Sequence, residues 1–153
     1  MSAILKELEL KHVGYIVSDI EATWKKYAAF FGMDEDDFFT FDSEYESGAW
    51  FRGNEIKGMG CQTSLIDMDN TMVELIQPND KPSAWREHLE KHGDGMHHLA
   101  FQVEKDALPG IVAAMEAEGY TVAQTYDDPE GTNGYVYMDA TNGLACFVEL
   151  FYM

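Results

Sequence analysis

Apolar and polar positions along the chain switch between two periods. Val13, Tyr15 and Val17 alternate with His12 and Gly14, the period of a half-buried strand. Ile20, Trp24, Tyr27 and Phe31 then recur at helical spacing. Ser18-Asp19-Ile20-Glu21 reads as a capping box, with Ser18 at the cap and Glu21 reaching back. Gly32 offers the left-handed stop. Strand patterns follow at Gln62–Ile66 and Thr71–Ile76, with Asp67-Met68-Asp69-Asn70 as the hairpin loop between them.

The second half repeats the order. His97 to Val103 alternates, and a helix follows with Leu108, Ile111, Val112 and Met115 on one face. Asp106 is expected to cap it, Pro109 sits in its first turn and Gly119 ends it. Tyr120–Ala123, Tyr135–Met138 and Leu144–Phe151 read as strands. Between the halves, Lys81 to His92 reads as a linking helix with Trp85 and Leu89 on one side, stopped by Gly93. His88 and His92, among Glu87, Glu90 and Lys91, are expected to be exposed on it.

Two matched pairs make this an internal repeat. His12-Val13-Gly14-Tyr15-Ile16-Val17 parallels His98-Leu99-Ala100-Phe101-Gln102-Val103, and Val73-Glu74-Leu75 parallels Val148-Glu149-Leu150. Each half alone is too small to bury both faces of its sheet. The fold class is therefore α+β: two β-α-β-β-β modules pairing into a curved, cup-shaped mixed sheet with helices outside. A single domain over 1–153 is expected, with module one at about 8–78, the linking helix at about 79–94 and module two at about 95–153.

Composition narrows the partners. The formal net charge is −18, which disfavours nucleic acid and anionic membrane surfaces. No apolar run is long enough to span a bilayer, and the start, MSAILKELEL, lacks a signal-peptide core. Cys61 and Cys146 lack metal spacing and read as free, buried thiols of a reducing compartment, hence a cytoplasmic protein. A small-molecule substrate is the remaining partner class.

Alternation sets the direction of the histidines. His97 shares a face with Leu99, Phe101 and Val103, a row suited to packing on a helix, while His98 shares the small, polar face with Ala100 and Gln102. His12 and Gly14 form the matching face in the first strand. Glu74 and Glu149, each flanked by apolar neighbours, point to the same side. An unpaired carboxylate in such a strand is costly to bury. A pseudo-twofold would bring His12, Glu74, His98 and Glu149 together, a set that suits a borderline divalent metal with room for water or substrate. A relic of such a site, without metal, is the competing reading.

These residues resemble the vicinal oxygen chelate superfamily, which includes lactoylglutathione lyase, methylmalonyl-CoA epimerase, extradiol dioxygenases and bleomycin-resistance proteins. The likeness runs from about His12 to Phe151. It is strongest to the epimerase branch, in Asn70 to Pro78, in Trp85 to Phe101 with Gly95-Met96-His97-His98-Leu99-Ala100, and in Gly143 to Leu150. The resemblance implies a divalent ion (zinc, nickel, cobalt or manganese) on His12, Glu74, His98 and Glu149. Glutamate at the position of Glu74 is typical of lactoylglutathione lyases. It implies a metal-dependent isomerase or lyase using enolate chemistry on a small α-carbonyl or thioester substrate. Glu149 is the first candidate for the base and Glu74 the second. Homodimers are common in such families.

Three features depart from the epimerase pattern. Gly60-Cys61-Gln62-Thr63-Ser64-Leu65 has no carboxylate, so Gln62 and Ser64 are candidates for substrate contact only. Tyr137-Met138-Asp139-Ala140 lacks the proline common after that strand. With only ten basic residues, no clamp for the phosphates of coenzyme A is visible. Phe147 and Phe151 beside Glu149 suit an apolar part of the substrate. Two other functions fit the fold: a non-catalytic small-molecule binding or drug-resistance protein, and an Fe(II) extradiol dioxygenase, which a fourth ligand at Glu74 disfavours.

Overall fold

The protein is described from a computed structural model covering residue 5 and residues 8–153. The strands are β1 (Leu10–Ile16), β2 (Phe38–Tyr45), β3 (Ala49–Phe51), β4 (Asn54–Glu55), β5 (Met59–Asp67), β6 (Met72–Pro78), β7 (Gly95–Gln102), β8 (Thr121–Asp127), β9 (Gly134–Asp139) and β10 (Phe147–Tyr152). The helices are α1 (Ile20–Phe31), α2 (Ala84–His92) and α3 (Leu108–Ala117). All strands join one mixed sheet in the order β2-β5-β6-β1-β7-β10-β9-β8-β3-β4. β1 and β7 meet antiparallel at its centre, and each pairs on its other side with a parallel strand, β6 or β10. The four-strand sets β1-β6-β5-β2 and β7-β10-β9-β8 are thus related by an approximate twofold between β1 and β7.

The sheet curls strongly. The hairpin β3–β4 follows β2 in sequence, yet β3 pairs with β8 on the far edge, Ala49 opposite Tyr126. Only residues 46–48 connect β2 to β3, so the two edges are drawn together at this end. Tyr45 of β2 stacks on Tyr126 of β8 with centroids 3.9 Å apart. β2, β3 and β4 lie outside the strands that the sequence pattern predicts. Phe38-Phe39-Thr40-Phe41 carries a strand pattern, but the acidic run before it obscured the boundary.

Three apolar clusters hold the layers. On the convex side, α1 covers Leu75 and Ile66 through Ile20, Trp24 and Tyr27. Also on that side, α3 covers Val148, Leu150 and Met138 through Met115, Ile111 and Val112. The third cluster fills the closed end of the concave side, where α2 packs Ala84, Trp85 and Leu89 against Ile16, Met59, Ile76, Tyr137 and Phe147. Two helices therefore lie outside, as expected, whereas α2 lies inside the curl. Its Ala84 N–H donates to Gln124 Oε1 at 2.7 Å and its Trp85 Nε1 to the Tyr137 hydroxyl at 3.2 Å.

Local expectations shift by a residue or more. Asp19, not Ser18, caps α1 by accepting from Ala22 N, because Ser18 is held from outside through its N–H to Asp94. Gly32 closes α1 in the left-handed region, φ 66°. Asp106 does not cap α3: it lies inside a 3₁₀ turn (Lys105–Ala107) that already leads into the helix. The linking helix starts at Ala84 rather than Lys81, because Ser83 caps it by accepting from Arg86 N. The last strand begins at Phe147 rather than Leu144.

Candidate metal centre

The four central strands each place one side chain at the same level of the concave face. Gly14 of β1 pairs with both Glu74 and His98, and Ala100 of β7 pairs with both His12 and Glu149. The approximate twofold thus relates His12 to His98 and Glu74 to Glu149. Close approach at the centre needs a glycine: a β-carbon on Gly14 would fall within the His98 ring.

Four donor atoms converge. His12 Nε2 lies 3.0 Å from Glu149 Oε2 and 3.5 Å from Glu74 Oε1. His98 Nε2 lies 3.1 Å from Glu149 Oε2 and 3.3 Å from Glu74 Oε1. The two imidazole Nε2 atoms are 3.2 Å apart. Donors about 2.1 Å from a shared ion stand roughly 3.0 to 3.4 Å apart, depending on coordination number. The donor set and its spacing therefore fit a divalent ion. His98 is fully buried and Glu149 is 7% exposed, so the site is shielded from bulk water.

Without an ion, protons must balance the two carboxylates. Burial opposes a charged His98, but the hydrogen bonds it donates to Glu149 and Glu74 outweigh it and raise the imidazole to about 9. His12 is raised for the same reasons, burial again working against the carboxylates. Burial would raise Glu149, yet the two histidines hold it well below the usual carboxylate range. A bound divalent ion would replace those protons.

His97 does not follow the alternation expected of it. A register shift in β7 between the Gly14–His98 and Tyr15–Met96 pairs makes it a bulge residue. It leaves the row that packs on α3 and instead stacks on Phe147, centroids 4.5 Å apart, beside His88 of α2 at 5.1 Å. His97 Nδ1 sits 3.0 Å from His98 Nδ1. Burial, then the neighbouring His98 and His88, push His97 well below its ordinary value, so it is neutral. The two Nδ1 atoms share one hydrogen bond, and Nε2 of His98 faces the carboxylates. This geometry suits His97 to orient the His98 ring. His88 is half-buried between His92 and His97 rather than exposed, and His92 is exposed.

The other site candidates divide. Phe151 stacks on the His12 ring at 5.8 Å and flanks the quartet. Phe147 is 5% exposed and belongs to the closed-end core. Gln62 and Ser64 do not join the quartet. They pair in register with Gln77 and Leu75, and Gln77 Oε1 accepts from Ile20 N at the start of α1, which places this row on the convex side. Thr63 is the polar residue that β5 turns to the concave face, beside Cys61. Cys61 and Cys146 are free and buried.

Residues 11–138 match the family model described as the glyoxalase/bleomycin resistance protein/dioxygenase superfamily. The chain belongs to that superfamily. None of the curated proteins matches the chain. Among solved structures it resembles a hypothetical protein from Bacillus halodurans (15% identity, TM-score 0.62, covering 95% of this chain and 94% of that one). It also resembles methylmalonyl-CoA epimerase from Mycobacterium tuberculosis (16%, 0.59, 93% and 85%). A Streptomyces coelicolor methylmalonyl-CoA epimerase in complex with 2-nitronate-propionyl-CoA is similar as well (23%, 0.61, 93% and 94%). At these identities the likeness is one of fold.

The superfamily assignment leaves the quartet to be judged on its own geometry, since Glu149 lies beyond the matched residues. Sequence reasoning missed four residues of this face. Tyr137 sits edge-on to His98 at 5.0 Å and accepts from Trp85. Gln124, fully buried, holds α2 in place. Phe39 and Phe41 lie on the concave side of β2, paired with Leu65 and Thr63. The period-two pattern around Phe39 and Phe41 was present in the sequence, whereas Gln124 and Tyr137 needed the strand register. Among the described residues, no helix is long and apolar enough to cross a membrane.

Proposed function

We propose that this member of the superfamily is a divalent-metal-dependent isomerase or lyase. It removes a proton from the carbon beside the carbonyl of a small α-carbonyl or thioester substrate. The observation that carries this reading is the convergence of His12, Glu74, His98 and Glu149, all four donor atoms lying within 4.8 Å of one another. These residues would hold the ion, in the zinc, nickel, cobalt or manganese class that suits mixed nitrogen and oxygen donors. When bound, such an ion acts as a Lewis acid on a carbonyl oxygen.

The chain's own contribution is proton transfer. Glu74 stands farther from both histidines than Glu149 does, at 3.3 and 3.5 Å against 3.0 and 3.1 Å. Its side chain is also more exposed, 14% against 9%. Glu74 is the looser carboxylate, so it takes first place as the base, and Glu149 is the anchor and second candidate. Phe151, stacked on the His12 ring, borders the reacting centre.

A binding-only role would use the same concave face without turnover. Proton exchange separates the two. In D₂O, protein loaded with Mn(II) or Zn(II) is expected to exchange the α-protons of hydroxyacetone, read by proton NMR. Glu74→Gln is expected to slow that exchange about 100-fold or more while the metal stays bound. No exchange above the free-metal control, or exchange indifferent to both Glu74→Gln and Glu149→Gln, would sink the reading.

A further inference from the structure

The concave face is furnished differently in the two modules, and this bears on what the site accepts. By the approximate twofold, Leu65 and Phe39 of module one correspond to Tyr137 and Gln124 of module two, since Leu65 pairs with Glu74 and Tyr137 with Glu149. In module two these positions are buried under α2, to which both Tyr137 and Gln124 are hydrogen-bonded. In module one Phe39 is 66% exposed and Phe41 37% exposed, their rings 5.4 Å apart. They form an apolar wall two strands from Glu74, roughly 10 Å at ordinary strand spacing. Phe151 stands on the opposite side of the quartet, against His12.

Apart from the histidines of the quartet, no cationic side chain stands on this face among the described residues. The pairing registers put His12, Gly14 and Ile16 on it from β1, Phe39, Phe41, Ser43 and Tyr45 from β2, and Cys61, Thr63 and Leu65 from β5. From the other strands it receives Glu74, His98, Glu149 and their concave neighbours. None of these is Lys or Arg. Arg52 is engaged by Glu87 and Asp139, and Arg86 by the carbonyls of Asn79 and Pro78. A chain of net charge −18 adds long-range repulsion of anions.

We infer that the substrate is an uncharged α-carbonyl compound with an apolar, ring-sized arm, which lies along Phe39 and Phe41 while its carbonyl reaches the quartet. A carrier arm bearing phosphates or carboxylates has no partner there. The inference rests on the metal-centre reading above and narrows its substrate.

Hydroxamates test it, because they chelate a metal through the same pair of oxygens and differ only in the arm. Zn(II)-loaded full-length protein is titrated calorimetrically with benzohydroxamate, acetohydroxamate and the carboxylated succinic monohydroxamate. Burial of the phenyl arm predicts benzohydroxamate tighter than acetohydroxamate by about tenfold, with the succinic compound weakest. The exposed double variant Phe39→Ser with Phe41→Ser should cancel that preference and leave acetohydroxamate affinity unchanged. Equal affinities, a preference for the carboxylated arm, or a preference that survives the double variant would overturn the inference and leave the metal centre standing. Failure of all three hydroxamates to bind would overturn the metal-centre reading, and the inference with it.

Discussion

The two modules share a plan and differ in what covers their concave faces. Each gives one imidazole and one carboxylate to the quartet from equivalent positions. One strand farther out the likeness ends. Tyr137 and Gln124 in module two fasten α2 and complete a packed core, whereas Leu65 and Phe39 in module one leave an apolar wall. The pair kept by both modules is the one whose geometry requires both. At the outer positions module two supports α2, while module one leaves its face open. Support and access are thereby separated within one curled sheet.

Substitutions in the covered and the open half are expected to differ widely in cost. The largest effect is expected at Trp85, 2% exposed in the closed end. Trp85→Ala should cost about 3–5 kcal/mol in denaturant unfolding, against about 0.5 kcal/mol or less for Phe39→Ala in the open half. Similar costs at both sites would remove the distinction.

An intermediate effect is expected at His97, which reaches the quartet only through His98. His97→Leu should weaken metal binding by about 10- to 100-fold, as loss of an orienting partner does. His97→Asn, which can place an amide oxygen near the lost Nδ1, should recover most of it in a Co(II) absorption titration. Equal losses in both variants would reduce His97 to packing.

The smallest effect is expected at Arg52, which ties the β3–β4 hairpin of module one to Glu87 of α2 and Asp139 of β9. The guanidinium is 38% exposed, so Arg52→Ala should cost about 1 kcal/mol at most. Arg52 lowers the Glu87 carboxyl from its ordinary 4.5. Asp139 is lowered from 3.8, with hydrogen bonds from Thr141 and Arg52 outweighing its burial. Groups with depressed folded values stabilise fully above their unfolded values and lose that contribution as pH falls through the folded ones. The stability gap between wild type and Arg52→Ala should therefore be level from pH 6 to 8 and close below about pH 4.5.

Much of this architecture is legible in the sequence because periodicity and duplication report the same thing. His12 and His98, Glu74 and Glu149 each stand in matched strands, and alternation assigns all four to one face. Alternation misleads where the ladder is irregular or a row is counted from the wrong residue. The bulge at His97 turns that side chain toward α2, which no period-two count can show. Gln62 and Ser64 follow strict alternation, but on the face opposite Thr63. The β3–β4 hairpin and the inward position of α2 depend on long-range pairing with β8 and on Gln124, and local patterns carry no trace of either.

We propose that one metal site is assembled jointly by the two modules. Its most direct test is metal content and affinity in full-length protein, measured by elemental analysis and chelator competition. The measurement compares wild type with one ligand removed from each module, His12→Ala and His98→Ala. One divalent ion per wild-type chain is expected. Each variant should lose affinity by more than the roughly 100-fold upper end of an outer-shell change. Wild-type protein that takes up no stoichiometric ion, or either variant retaining full occupancy, would contradict it.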